Sequence, residues 1–125
     1  MSDTLRIISA VIIALHGLIH LIGLAVYLKL AEFEGFAYKT TLLGGRWDLG
    51  EPGTQVFGVL WILPALGFIA AAAGMIFGFS WWGALLLGSA IVSLLLTTLD
   101  FRVAFAGIAV NVIILIALWF GARLA

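Results

Sequence analysis

The chain contains no cysteine, so disulfides, thiolate nucleophiles and every thiolate-based metal site are excluded together. Charge is scarce too. Only 10% of the 125 residues are charged and the formal net charge is zero, against ~25% charged residues in soluble domains. No basic surface is left to attract nucleic acid. A phosphate-binding glycine loop is missing, because Gly44-Gly45 is not followed by Lys-Ser/Thr. No Gly-x-Ser-x-Gly nucleophile turn occurs either. Catalytic residues therefore remain unassigned by motif.

What the chain has in excess is apolar surface: 65% of its residues are hydrophobic, where soluble domains have ~45–50%. A soluble fold of this size cannot bury that much, so lipid must be its solvent. Four apolar segments stand out, at 7–28, 56–77, 81–99 and 103–120, each near the ~20-residue length that spans a bilayer as a helix. The first is flanked by Arg6 and Lys29. It is longer than the ~7–15 apolar residues of a secretory signal and no small-x-small cleavage site follows, so it is expected to be a retained helix. Gly78-Phe79-Ser80 and Asp100-Phe101-Arg102 are the only links between the later segments. The expected fold is all-α: one domain over 1–125, an integral membrane four-helix bundle in up-down-up-down order. The Asp100-x-Arg102 pair reads as the anchor of a tight interfacial turn.

The connection 31–54 is long for so small a chain and is expected to be interfacial, either covering helix ends or acting as a lid. It interleaves Glu32, Glu34, Lys39, Arg46, Asp48 and Glu51 with Phe33, Phe36, Tyr38 and Trp47, a mixture suited to the lipid headgroup level. Its glycine-rich part, 44–53, reads as an ordered turn rather than a helix. With Lys29, Asp100 and Arg102, this side would carry nine of the twelve charged side chains, and Asp3, Arg6 and Arg123 the rest. Lysine and arginine alone divide four against two, which leans towards a cytoplasmic loop side.

Polar residues at membrane depth are costly and face the bundle interior. On the first segment Ser9, His16, His20, Gly23 and Tyr27 follow one helical stripe. Ser89, Ser93 and Thr97 recur every four residues towards Asp100, and Gly107 and Asn111 are again four apart. Similar depth predicts a polar pocket of His16, His20, Trp61, Ser89, Ser93 and Asn111. Its mouth would be formed by Arg46, Trp47, Asp48, Thr97 and Asp100. The structural alternative is that these groups simply tie helices together.

His16 and His20, at i and i+4, can share a metal ion, but the zinc motif of that spacing also needs a third ligand and a glutamate base. Haem ligation by one histidine and proton handling or quinone binding by a His–Asn–Ser string are the other chemistries this set allows. The cofactor is left open among metal ion, haem, quinone and none.

The segments HGLIHLIG, GGRWDLGEPGTQVFGVLWIL and DFRVAFAGIAVNVIIL resemble those of a group of small, uncharacterised bacterial four-helix membrane proteins. In layout alone the chain is similar to the DoxX-like four-helix proteins. The resemblance implies a bacterial cytoplasmic membrane and brings no activity with it. Two functional expectations stand. One is a non-catalytic accessory or small-ligand-binding membrane protein, forming a homo-oligomer or part of a larger membrane complex. The other is a redox or proton-coupled membrane enzyme using the histidines.

Overall fold

A computed structural model describes residues 1–124, with side chains described for 1–121; the Arg123 side chain lies outside that set. The elements in chain order are α1 (Asp3–Tyr27), β1 (Thr41–Leu42), a 3-10 turn (Leu43–Gly45), β2 (Trp47–Asp48), α2 (Gly50–Leu60), α3 (Ile62–Phe77), α4 (Trp82–Leu99) and α5 (Phe101–Leu124). Among the described residues four segments are long and apolar enough to cross a membrane: Asp3–Tyr27, Gly50–Phe77, Trp82–Leu99 and Phe101–Gly121. The second is α2 and α3 together.

Local chemistry sets the helix ends. Ser2 caps α1, its hydroxyl accepting from the Leu5 backbone N–H at 3.1 Å. Asp3 in the first turn favours the helix dipole and pairs with Arg6 at 2.6 Å. At the other end of the second span, Gly78 takes a left-handed φ of +76° and the Phe79 N–H returns to the Gly74 carbonyl at 2.9 Å, a glycine C-terminal stop. Asp100 ends α4 and its carbonyl accepts from the N–H groups of Val103 and Ala104, so the same residue starts α5.

The second span begins at Gly50, inside the stretch that glycine content alone assigns to a turn. The physical reason lies in its first residues: the Asp48 carboxylate, just before the N-cap Leu49, accepts from the Gly50 N–H at 2.9 Å, and Pro52 falls in the first turn, where its missing N–H costs nothing. The same span breaks at Trp61, whose N–H turns to the Gly58 carbonyl at 3.2 Å. Pro64 cannot donate to Leu60, which explains the break.

Helix α1 packs on α2 and α3, α3 on α4, and α4 on α5. The α1–α3 contact is close because Gly17 presents no side chain. A Cβ there would lie 2.9 Å from the Ala65 carbonyl oxygen and 3.0 Å from the Phe68 Cβ. Two apolar clusters form the core. One gathers Ala10, Ile13, Phe68, Ala71, Met75, Leu86 and Ala90. The other gathers Tyr27, Leu42, Phe57, Trp61 and Leu96 at the end nearer the β1–β2 ribbon. By their positions along α1, α3 and α4, the polar side chains of the midsection lie between these layers. In the connection, β1 and β2 pair antiparallel, Thr41 opposite Asp48 and Leu42 opposite Trp47.

Candidate functional site: a closed hydrogen-bond ring and an ion-paired cap

Four polar residues from three helices meet between the two apolar layers. The His16 Nε2 and Asn111 Oδ1 atoms lie 3.0 Å apart, Asn111 Nδ2 is 2.7 Å from Ser93 Oγ, and His20 Nε2 is 2.5 Å from the same Oγ. His20 Nδ1 is 2.7 Å from the backbone carbonyl of His16. All four residues are buried.

The acceptors assign the protons. A carbonyl oxygen only accepts, so His20 Nδ1 carries the hydrogen and neutral His20 leaves Nε2 bare. Ser93 then donates its hydroxyl to His20 Nε2. Asn111 donates from its NH2 to Ser93 Oγ and, more weakly at 3.4 Å, to Thr97 Oγ1. Its carbonyl oxygen accepts from His16 Nε2–H. Thr97 donates back to the Ser93 carbonyl at 2.7 Å. The bonds run in one direction around a closed ring, each satisfying a group that hydrocarbon would penalise.

The rings are packed as well as bonded. His16 and His20 meet edge to face with centroids 4.7 Å apart, and Phe68 lies against both at 4.8 and 5.4 Å. Trp61 sits 5.5 Å from His20, and its indole N–H is enclosed with no hydrogen-bond partner among the described residues. Ser89 is buried but stands apart from the ring, its hydroxyl against Gly67.

Of the residues expected at a pocket mouth, Thr97 joins the ring, whereas Asp100 belongs to a second cluster. Tyr27 donates its hydroxyl to Asp100 Oδ2, and Lys39 donates to Asp100 Oδ1 at 2.5 Å and to the Tyr27 oxygen at 2.8 Å. The Asp100 side chain is only 1% exposed and that of Lys39 30%. The charge partner of Asp100 is thus Lys39 from the connection, not the nearby Arg102, whose guanidinium lies beside Gly44. Sequence reading missed Tyr27 and Lys39 here. Tyr27 was legible as the last member of the α1 polar stripe; Lys39 gave no periodic signal.

Arg46, Trp47 and Asp48 lie on the exposed face of the ribbon. Arg46 reaches the Leu43 carbonyl at 3.4 Å. Asp48 accepts from the Gly50 backbone N–H at the start of α2, and that bond holds its carboxyl below the usual carboxylate range. On the same side Lys29 pairs with Glu51 at 3.1 Å, and that hydrogen bond holds its ammonium above the usual lysine range.

These arrangements define the available chemistry. Among the described residues no three His, Cys, Asp or Glu side chains gather as a metal-ligand set. Both ring nitrogens of His20 and one of His16 are committed to protein partners. A proton passed along the ring would have to cross the Asn111 amide, which holds its NH2 protons far more tightly than imidazole or a carboxylic acid does. Comparison of the chain with protein-family models, curated proteins and solved structures finds no match.

Proposed function

We propose that this chain is a multi-pass protein of the bacterial cytoplasmic membrane, its four spans in up-down-up-down order and the connection between the first two spans capping one end. In this reading it works without catalysis, as an accessory or small-ligand-binding protein. The observation that carries it is the ring of His16, Asn111, Ser93 and His20, in which polar atoms suited to catalysis are spent on one another. Such a ring fixes the relative depth and rotation of α1, α4 and α5. A scaffold held that firmly suits presentation of its loop end to a ligand or a partner subunit.

A second reading, a quinone- or haem-binding redox protein, is favoured by one feature: the enclosed, unpartnered indole N–H of Trp61 beside His20. A ligand carbonyl would satisfy it. The deciding experiment is an ultraviolet-visible spectrum, elemental analysis and organic extraction of protein purified gently from native membranes. The first reading expects no Soret band, no stoichiometric transition metal and no co-purifying quinone, with His20→Ala lowering thermal stability. A Soret band, metal or quinone that disappears in His20→Ala or Trp61→Phe overturns it in favour of the second.

A further inference from the structure

A cavity at the loop end shares no residue with the histidine ring. It is a groove of about 740 Å³ between the end of α1 and the turn that pairs Phe33 with Phe36, within the ~300–1,000 Å³ range of small-molecule sites. One wall is apolar, made by Val26, Leu30, Phe33 and Phe36. The polar lining is Lys29, Glu32 and Tyr38: one cation, one anion and one hydroxyl.

Two features of this lining point to an absent partner. The Tyr38 hydroxyl is enclosed and has no hydrogen-bond partner among the described residues, a costly state unless a ligand supplies one. The Lys29 ammonium, 4.6 Å from the Tyr38 ring centroid, uses one donor on Glu51, and an ammonium has further N–H groups to offer. Lys29 is also held at a left-handed φ of +58°, a conformation that non-glycine residues adopt at a cost. The location fits as well. Tyr27 ends the first span, so the groove begins where hydrocarbon gives way to headgroups. Leu30 and Phe33 remain 71% and 42% exposed, apolar side chains placed at that level.

We infer that this groove binds one phospholipid with a zwitterionic headgroup. The lipid phosphate accepts from Lys29 Nζ and the Tyr38 hydroxyl, the headgroup ammonium meets the Glu32 carboxylate, and the start of an acyl chain runs along Val26, Leu30, Phe33 and Phe36. A purely anionic headgroup leaves Glu32 facing like charge, and a free phosphate ester makes no use of the apolar wall. The inference rests on the membrane placement of the chain but not on the role of the histidine ring.

The test is native mass spectrometry of the protein released from nanodiscs made of equal parts phosphatidylethanolamine and phosphatidylglycerol. One retained phosphatidylethanolamine is expected. Tyr38→Phe and Lys29→Gln should each weaken retention about tenfold, the worth of one charge-assisted hydrogen bond. Glu32→Gln, on an exposed side chain and so neutral to folding, should shift the preference towards phosphatidylglycerol. His20→Ala should leave retention unchanged, which separates failure of the groove from failure of the ring. The inference is overturned by no retained lipid, by equal retention of both lipids in the unaltered protein, or by unchanged retention in both Tyr38→Phe and Lys29→Gln. Displacement of the lipid by free phosphoethanolamine would also overturn it, assigning the groove to a soluble phosphate ester.

Discussion

At the scale of single residues, Asn111 is the member of the ring on which the others depend. It takes the His16 proton donor and supplies a donor to Ser93, so Asn111→Ala leaves His16 Nε2–H without its acceptor and Ser93 Oγ with only its bond to His20. Interhelical hydrogen bonds in membranes are worth roughly 1–2 kcal/mol at most, and Asn111→Ala should lower stability in detergent by about 2 kcal/mol because two are lost together. His16→Ala should remove part of the same energy. In a thermal-unfolding double-mutant cycle the pair should therefore cost about 1 kcal/mol less than the sum; strict additivity would mean that the two do not share a bond. The nearness of His16, His20, Ser93 and Asn111 is legible in the sequence because helical period and similar depth leave polar side chains little choice but to meet. The donor and acceptor order is not legible, since it depends on which carbonyl His20 reaches. The exclusion of Ser89 is equally hidden: it lies on the same row as Ser93, but a glycine on α3 sits against it.

At the scale of elements, glycine decides how closely helices approach. Gly17→Ala must push α1 away from the Ala65 carbonyl, a contact with backbone that cannot rotate aside. A cost of about 1–3 kcal/mol is expected, as for other overpacked sites. A Cβ on Gly88 meets nothing within 4 Å, so Gly88→Ala should be neutral or stabilising by up to about 1 kcal/mol through helix propensity. Urea or thermal unfolding of the two variants in one detergent checks both, and a destabilised Gly88→Ala would mean that this face of α4 packs against something else. The spans themselves are legible because each apolar run is long. The start of α2 is not, because the Asp48 bond to the Gly50 N–H and a proline in the first turn set it, and neither changes hydropathy. The Lys39–Asp100 pair is similarly invisible, joining residues far apart in sequence through an irregular connection. Its worth can still be predicted. Lys39→Met leaves a carboxylate that is 1% exposed with only the Tyr27 hydroxyl. The loss is about 2–3 kcal/mol after allowance for the partly solvated lysine. Trypsin cleavage after Arg46 should accelerate, and adding Asp100→Asn should restore much of the protection.

At the scale of the whole molecule, the spans are unequally buried: 6% of the window in α5 is enclosed, against 33–44% in the other three. The fourth span is thus tied to the rest mainly through α4 and the Asn111 bonds, and its outer surface is left to lipid or to other subunits. For the proposed membrane placement, the charge distribution predicts the orientation. Lys29, Lys39, Arg46 and Arg102 gather at the end where Asp100 meets the connection, while Arg6 lies at the far end of α1. Lysine and arginine near the ends of spans are retained on the cytoplasmic side, so the proposed topology places Glu34 and Arg102 in the cytoplasm and Ser2 and Ser80 outside. The acidic residues mixed into the same connection do not reverse this, because acids contribute little to orientation. The absence of cysteine makes the prediction direct to check, since each single substitution introduces the only thiol. In intact cells a membrane-impermeant maleimide should label Ser2→Cys and Ser80→Cys and leave Glu34→Cys unlabelled until the membrane is opened. The opposite pattern would invert the protein. Labelling of Ser2→Cys and Glu34→Cys from one side would contradict an odd number of crossings between them, and with it the up-down order on which the capping role of the connection depends.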